Sequence, residues 1–229
     1  MKFGYLKQLA ILVCLLTWVA SNPAIAGCYD KRSPGMDWSG CKKTHKMLDD
    51  SNFSGSRFDN TNLSFSTLDG SNFEGASMVK TNMTRAKARG SSFIDADLTK
   101  SVGYRAIFDG ATLGQTNLTK SEYFRASFRD STITDTDWSK SELGRVDFTS
   151  AQLDGVSFEF TNVSRVIFNG AQLNDVDFRG AYTYLTHFEN VDLRKVINLS
   201  QLQLRLSCGD KTTQLPEGRS MPEHWPCEE

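Results

Sequence analysis

Large apolar residues recur at every fifth position over most of the chain. Between residues 53 and 193 this register contains 29 positions, of which 26 carry a large apolar side chain. The exceptions are Ala88, Gly103 and Thr183. Two residues before each apolar position, between residues 51 and 196, every one of 30 positions holds Ala, Ser, Thr or Val. The other three positions of each five are mostly polar.

A period of five fits neither the 3.6-residue period of an α-helix nor the alternation of a long strand. It fits a chain that turns after each short extended segment, in which the small and the large residue point to the same side. Such segments cannot bury their apolar sides alone. The pattern therefore predicts a solenoid whose coils stack into one continuous core.

A second period, of twenty residues, indicates the number of sides in each coil. Because twenty is four fives, a four-sided coil would align these residues in columns, with members about 4.8 Å apart as in neighbouring strands. The lysine column comprises Lys80, Lys100, Lys120 and Lys140, and the arginine column comprises Arg85, Arg105, Arg125, Arg145 and Arg165. We expect both columns on the edges of one side, with Tyr104 and Phe124 between them. About seven coils would form a rod roughly 35 Å long.

The segments SNFSG, SNFEG, ADLTK, TNLTK and VDFRG resemble the repeats of the pentapeptide repeat family. The resemblance covers about 145 residues. It implies an all-β fold, a right-handed quadrilateral parallel β-helix, with Phe and Leu stacked along the axis. It also implies a rival function, because some members of this family imitate DNA and inhibit DNA gyrase in the cytoplasm.

Residues 1–26 have the features of a signal peptide. Lys2 and Lys7 precede an apolar run, and small residues precede a cleavage point after Ala26. The run of about 12 residues is shorter than the roughly 20 that span a bilayer, so we expect no transmembrane segment in the mature chain. A periplasmic or secreted location follows. The alternative is a lipoprotein acylated on Cys28.

Four cysteines remain after such cleavage, two near each end of the chain. In an oxidising compartment, pairing of Cys28 with Cys41 and of Cys208 with Cys227 is the simplest of the three possible connectivities. Zinc binding is the weaker alternative, because no CxxC spacing accompanies these cysteines. We therefore expect an N-terminal disulfide cap at residues 27–47, the β-helix at 48–197, and a C-terminal helix with a disulfide-tied tail at 198–229.

The two ends of the solenoid need covers for their apolar core and unpaired backbone. Trp38 is placed to cover the first coil. At the other end, residues 200–203 read as a helix capping box, with Leu199 and Leu204 as its hydrophobic staple and Gly209 as the end of the helix. The tail that follows is predicted to lie extended along the rod as a lid; the alternative is a docking peptide centred on Trp225.

No catalytic, cofactor-binding or metal site is predicted. His45, His187 and His224 are far apart in sequence, and no serine nucleophile motif is present. The carboxylates of Asp97, Asp137 and Asp177 share a column, but alternate coils would hold them roughly 10 Å apart, too far to share one cation. Gly103 would leave a gap in the core that the ring of Tyr123 fills. We therefore expect a protein that is not an enzyme.

The predicted binding surface is the basic face, defined as the lysine column, the arginine column, Tyr104 and Phe124. Glu122 and Glu142 are expected as partial counterions. The next side carries Asp69, Arg89, Asp109 and Arg129, whose charges alternate and neutralise one another.

Arg forks bind carboxylates and phosphates, so the basic face predicts an anionic envelope partner, namely an acidic glycan, a lipid phosphate or an acidic protein. The alternative is a solvated face without a partner. No nucleic acid is expected. DNA mimicry needs a strongly acidic rod, whereas removal of Lys2 and Lys7 leaves 24 basic and 27 acidic residues. The predicted function is a rigid exported interaction scaffold.

Overall fold

The computed structural model describes residues 27–227, which form a right-handed β-helix with four sides per coil. Each five-residue segment contributes one residue that bridges in parallel to the residue twenty positions later, as Asn62 does with Asn82. On one side the ladder is regular enough to form strands, in the order β1, β2, β3, β4. These strands are β1 Thr112–Gly114, β2 Thr132–Thr134, β3 Gln152–Asp154 and β4 Gln172–Asn174. The four-sided architecture predicted from the two periods is confirmed.

The core is a set of side-chain stacks that follow the five-residue register. Ring centroids of Phe73 and Phe93 are 4.9 Å apart, and those of Phe108 and Phe128 are 4.7 Å apart. These rings are at most 2% exposed, and full burial of a Phe side chain contributes about 1.5–3 kcal/mol. The side chains of the apolar register thus form one continuous buried column along the rod axis.

The small residues at the inner corners also join one coil to the next. Thr61 Oγ1 donates to the carbonyl of Trp38 at 2.6 Å, and Ser91 Oγ donates to the carbonyl of Leu68 at 2.7 Å. Thr161 repeats the contact one hundred residues later, with the carbonyl of Trp138 at 2.6 Å. Ser and Thr therefore satisfy buried carbonyls at corners that have no room for larger side chains.

The coil begins earlier than residue 48, because Asp37 already bridges to Arg57 and continues a ladder of eight bridges that ends at Ile197. Eight spacings of about 4.8 Å give a rod roughly 38 Å long. The segment expected as a separate cap therefore overlaps the first coil. Its cysteines, Cys28 and Cys41, are joined with Cα atoms 5.5 Å apart.

Trp38 lies inside this first coil, 3% exposed, with its ring 5.8 Å from that of Phe53. Lys43 stands in the apolar register and covers the indole of Trp38, with Nζ 3.6 Å from the ring centroid. The same Nζ donates to the carbonyl of Cys28 at 2.5 Å. Partial burial lowers the pKa of Lys43. A cation over an aromatic ring thus closes the N-terminal end of the core.

The C-terminal end carries helix α1, Gln201–Leu206. The predicted capping box is confirmed, because Gln203 N donates to Ser200 Oγ at 3.2 Å and Ser200 N donates to Gln203 Oε1 at 2.8 Å. The predicted helix end at Gly209 is wrong: the helix stops at Leu206, and Ser207 is extended. A Cβ on Gly209 would overlap the indole of Trp225, so this glycine makes room for a ring.

The tail covers the end of the rod rather than running along its side. Gln214 bridges to Asp192 of the last coil, and Thr213 Oγ1 donates to the carbonyl of Phe188 at 2.9 Å. Trp225 is 8% exposed, and its Nε1 donates to the carbonyl of Ser207 at 2.7 Å. Cys208 and Cys227 are joined with Cα atoms 5.4 Å apart. The buried indole agrees with a lid and leaves no docking peptide centred on Trp225.

A basic face as the candidate functional site

The structure places the lysine and arginine columns on the two edges of one side of the rod. The middle of that side is a ladder of bridged residues, namely Asn62, Asn82, Val102, Glu122, Glu142, Asn162 and Tyr182. Backbone hydrogen bonds keep both edges in the twenty-residue register, since Lys100 N donates to the carbonyl of Thr119 at 3.0 Å and Arg105 N to that of Phe124 at 3.1 Å. Lys120 and Arg125 therefore stand one coil above Lys100 and Arg105.

All nine residues of the two columns occupy the second turn position of their segments, with φ between 54° and 63°. The left-handed region costs a residue with a side chain roughly 1–2 kcal/mol. Glycine fills the same turn position elsewhere in the rod, as at Gly110, where φ is 66°. Other non-glycine residues along the rod share this conformation, such as Asp130 with φ 56° and Phe160 with φ 53°, so positive φ belongs to the repeat and does not by itself distinguish the basic face.

The basic face lacks internal neutralisation. Among residues 27–227, none of the nine column side chains forms an ion pair within 4.0 Å of a carboxylate. All nine are exposed. Glu122 and Glu142 were the expected counterions, but neither pairs with a column residue, and Glu142 Oε2 accepts from Asn162 Nδ2 at 2.8 Å. The positive charge therefore remains open to solvent.

Five of the eight arginines outside the basic face, counted over residues 27–227, show the opposite behaviour; Arg32, Arg205 and Arg219 form no ion pair. Each of the five pairs with a neighbouring aspartate, at N–O distances between 2.7 and 3.7 Å, as Arg57–Asp59, Arg89–Asp69, Arg129–Asp147, Arg179–Asp177 and Arg194–Asp192. The column of Asp69, Arg89, Asp109 and Arg129 is thus neutralised as expected. Arg129, however, pairs with Asp147 instead of with Asp109 of its own column. Asp109 accepts from Ser127 Oγ and from Arg129 N.

Aromatic rings support the arginine column more extensively than the sequence suggested. Tyr104 and Phe124 stack with centroids 6.0 Å apart and planes 3° apart. The guanidinium carbons of Arg105 and Arg125 lie 5.2 and 5.5 Å from the centroids of these two rings. Tyr104 and Phe124 thus stack on each other, and each also contacts the guanidinium group of the arginine that follows it.

Two further rings of this kind, Phe65 and Tyr184, were missed. Arg85 lies 5.5 Å from the centroid of Phe65, and Arg165 lies 5.9 Å from that of Tyr184. The signal was present, because Phe65 stands twenty residues before Arg85 and Tyr184 stands sixty after Phe124. Phe65 would have been found by extending the arginine column towards the N-terminus, and Tyr184 by extending the column of Tyr104 and Phe124 towards the C-terminus.

The carboxylates of Asp97, Asp137 and Asp177 do stand on alternate rungs of one side. Their Oδ1 atoms accept the backbone N–H two residues later, at 2.9, 2.8 and 2.8 Å. This contact is an Asx turn, which stabilises the corner. Within the described range, no cluster of three His, Cys, Asp or Glu residues is able to hold a metal ion.

The structure does not bring the three histidines together. His187 contacts Glu189, His45 stacks on Phe65, and His224 contacts the carbonyl of Ser207. Between residues 27 and 227, no helix has the length and apolar character needed to cross a membrane.

Comparison with known proteins agrees with this architecture. The full-length structure of QnrB1, a plasmid-mediated fluoroquinolone resistance protein, matches 77% of this chain and 92% of its own, with a TM-score of 0.64 and 17% identity. A trypsin-treated QnrB1 variant matches 78% of this chain and 90% of its own, with a TM-score of 0.62 and 19% identity. HetL, a pentapeptide repeat protein from the cyanobacterium Nostoc, matches 84% of this chain and 92% of its own, with a TM-score of 0.38 and 19% identity.

At these identities the structural likeness describes the fold and leaves function open. No curated protein sequence matches the chain. The family profile described as pentapeptide repeats matches it in eight copies, over residues 48–85, 81–120, 126–162 and 139–170. These residues are more than half of the chain, and they carry the register that builds the coils. The chain belongs to the pentapeptide repeat family.

Proposed function

We propose that the protein is a non-enzymatic exported scaffold, a rigid rod that binds an anionic partner of the cell envelope through its basic face. The observation that carries this proposal is the contrast between unpaired and paired cations. Among residues 27–227, none of the five exposed arginines of the arginine column forms an ion pair, whereas five of the eight arginines elsewhere do; no lysine in this range forms one.

An anionic partner would lower the energy of this face. Like charges on neighbouring rungs repel by about 1 kcal/mol per pair in water at 4.8 Å, and salt screens part of that repulsion. The backbone cannot relieve this repulsion by moving neighbouring rungs apart, because each turn residue is hydrogen bonded to the next coil, as Lys120 N is to the carbonyl of Ser139 at 3.0 Å. Binding of carboxylates or phosphates replaces repulsion with charge-assisted hydrogen bonds.

The binding proposal is tested by immobilising the protein and passing envelope extract over it. Arg105, Arg125 and Arg145 are changed together to Glu; the matched control changes Arg57, Arg89 and Arg129 to Glu, which alters net charge equally. We expect parent and control to retain the same salt-eluted component and the face variant to lose it. Equal retention by all three proteins would show that the face has no partner.

Export is the second part of the proposal. The predicted signal peptide, residues 1–26, lies outside the described residues, and the support comes from the two cysteine pairs, which are typical of oxidising compartments. Pairing of Cys28 with Cys41 supports the unlipidated form, because a lipoprotein would use the Cys28 sulfur for its acyl chain.

Cell fractionation with mass spectrometry of the N-terminus tests export. We expect a mature chain that starts at Gly27 in the periplasmic or secreted fraction. An intact chain that starts at Met1 in the cytoplasm would contradict export and favour the rival function, a DNA mimic that binds gyrase. The near-neutral charge and the unpaired cations weigh against that function.

A further inference from the structure

The two columns of the basic face have different electrostatic surroundings. Asp97 and Asp137 stand three residues before Lys100 and Lys140, and Glu122 stands two residues after Lys120. These acidic residues occupy the bridged positions of the two sides that meet at the lysine column. Carboxylates therefore border most of the lysine column, although none reaches ion-pair distance.

The arginine column has fewer acidic neighbours. Arg105 lies between the bridged residues Val102 and Ile107, and Arg165 lies between Asn162 and Ile167. Arg85 lies between Asn82 and Lys87. Only the middle of this column has carboxylates beside it, and the two nearest Arg145 already have partners: Asp147 with Arg129 at 2.9 Å and Glu142 with Asn162 at 2.8 Å.

The arginine column also has aromatic contacts that the lysine column lacks. Four of its five guanidinium groups lie over aromatic rings, at 5.2 to 5.9 Å from the ring centroids. Within residues 27–227, no lysine of the lysine column has such a ring. A guanidinium held over a ring keeps its N–H edges free for a bidentate acceptor and loses less rotamer entropy when it binds.

The spacing of the column restricts the ligand. One arginine projects from each of five successive rungs, about 4.8 Å apart. A partner that engages all five must present negative groups in regular succession along a line. Few folded protein surfaces carry negative groups at every step of such a row, and on this rod the column of Asp97, Asp137 and Asp177 has them only on alternate rungs, whereas a polysaccharide of uronic acids carries one carboxylate on every sugar. The carboxylate is also the planar group that matches the guanidinium fork.

We propose that the arginine column, Arg85 to Arg165, is the binding site for an acidic polysaccharide chain that lies parallel to the rod axis, and that the lysine column is not part of this site. The inference rests on the proposed function, because it specifies which anionic partner the basic face takes. It predicts multivalent binding: each added uronic acid engages another rung, so affinity rises with chain length and levels off near five sugars.

The test uses the mature full-length protein and oligomers of galacturonic acid from one to ten sugars, titrated by calorimetry at fixed salt. Two variants make the same change in charge: Arg105, Arg125 and Arg145 to Gln, and Lys100, Lys120 and Lys140 to Gln. We expect the arginine variant to bind the longer oligomers about tenfold or more weakly and the lysine variant to stay within about twofold of the parent.

Four outcomes overturn the inference. Equal weakening in both variants would mean that general charge attracts the oligomers. Binding of the single sugar as tightly as the ten-sugar chain would exclude a linear multivalent site. Failure of the parent to bind polygalacturonate more tightly than neutral dextran, or binding only to vesicles that contain phosphatidylglycerol, would exclude the polysaccharide. If envelope capture still depends on the arginines in that case, the proposed function stands without this ligand; if it does not, both fall.

Discussion

Gly103 shows how single residues adjust to a core built from stacked rings. It occupies a buried position of the apolar register and contributes no side chain there. The ring of Tyr123 on the next coil takes that space, is fully buried, and its hydroxyl contacts Ser101 Oγ at 2.8 Å. Burial raises the pKa of this phenol, so it stays neutral and hydrogen bonded. The sequence-based expectation that Tyr123 fills the gap is confirmed.

Replacing Gly103 by Ala would place a Cβ inside the ring of Tyr123. We expect a loss of about 1–3 kcal/mol in the free energy of unfolding, because overpacking forces a buried ring to move. Urea unfolding measures the change. The control is Gly114→Ala, whose Cβ would meet its nearest atom, Thr134 Oγ1, at 3.3 Å. Adding Tyr123→Leu to the first variant should recover part of the loss, and equal stability of Gly103→Ala and the parent would contradict this packing.

Thr183, another exception in the apolar register, has a partner that only the folded chain reveals. Its Oγ1 donates to the carbonyl of Gln203 in helix α1 at 2.8 Å, and Gln203 Nε2 donates in turn to the carbonyls of Phe178 and Ala181. A polar residue in the core column therefore marks the place where the helix replaces the next coil. Local sequence contains no sign of a contact twenty residues away.

At the scale of elements, helix α1 and the tail close the rod as one unit. The tail supplies the carbonyl that accepts Leu193 N, from Gln214 at 2.7 Å, and the ring of Trp225. The start of α1 was predictable, because a capping box is a local pattern. Its end was not, because Ser207 leaves the helix to place Cys208 beside His187, a contact set by the last coil.

Removal of the C-terminal disulfide should loosen only this end. Cys208 and Cys227 enclose a loop with a sequence separation of 19, for which the chain-entropy model gives about 3 kcal/mol. In the variant with both cysteines changed to Ala, we expect faster hydrogen exchange at Leu193 N, whose acceptor lies in the tail. Repeat proteins couple mainly to their nearest neighbours, so the exchange rate of Arg57 N should not change.

The matched control changes Cys28 and Cys41 to Ala at the other end. It should accelerate exchange at Arg57 N, which donates to the carbonyl of Met36 at 2.8 Å, and leave Leu193 unaffected. A uniform increase along the whole rod in either variant would mean that the coils unfold as a single cooperative block.

At the scale of the whole molecule, two periods have separate physical roles. The period of five sets burial, since it decides which residues point into the core. The period of twenty sets the columns, because it decides which exposed residues share an edge. Both periods, and with them the position of the basic face, could be predicted from the sequence. The start of the first coil was less clear, because Lys43 interrupts the apolar register and acts as a cover for Trp38.

Side-chain contacts on the exposed sides of the rod could not be predicted from the pattern. Column membership fixes where each Cα stands, but rotamers decide whether Arg129 reaches Asp147 or Asp109, and which ring each guanidinium covers. These choices depend on side-chain rotamers and on atoms from adjoining sides. The sequence could therefore place the basic face but could not predict which side chains contact its two columns.

The separation of the two periods leads to a test of the face that leaves the core register intact. Deleting residues 106–125 removes one whole coil, so Arg105 and Arg145 become neighbours in one column. Deleting residues 106–120 keeps the five-residue register, but it moves Arg125 and all later column members to the adjacent edge. Circular dichroism should show that both proteins fold, because each inner position still receives a small or an apolar residue. The twenty-residue deletion should keep the stronger envelope capture, since it leaves four guanidinium groups in one line, whereas the fifteen-residue deletion divides the column into lines of two and three; equal capture by both would show that net charge, not alignment, recruits the partner.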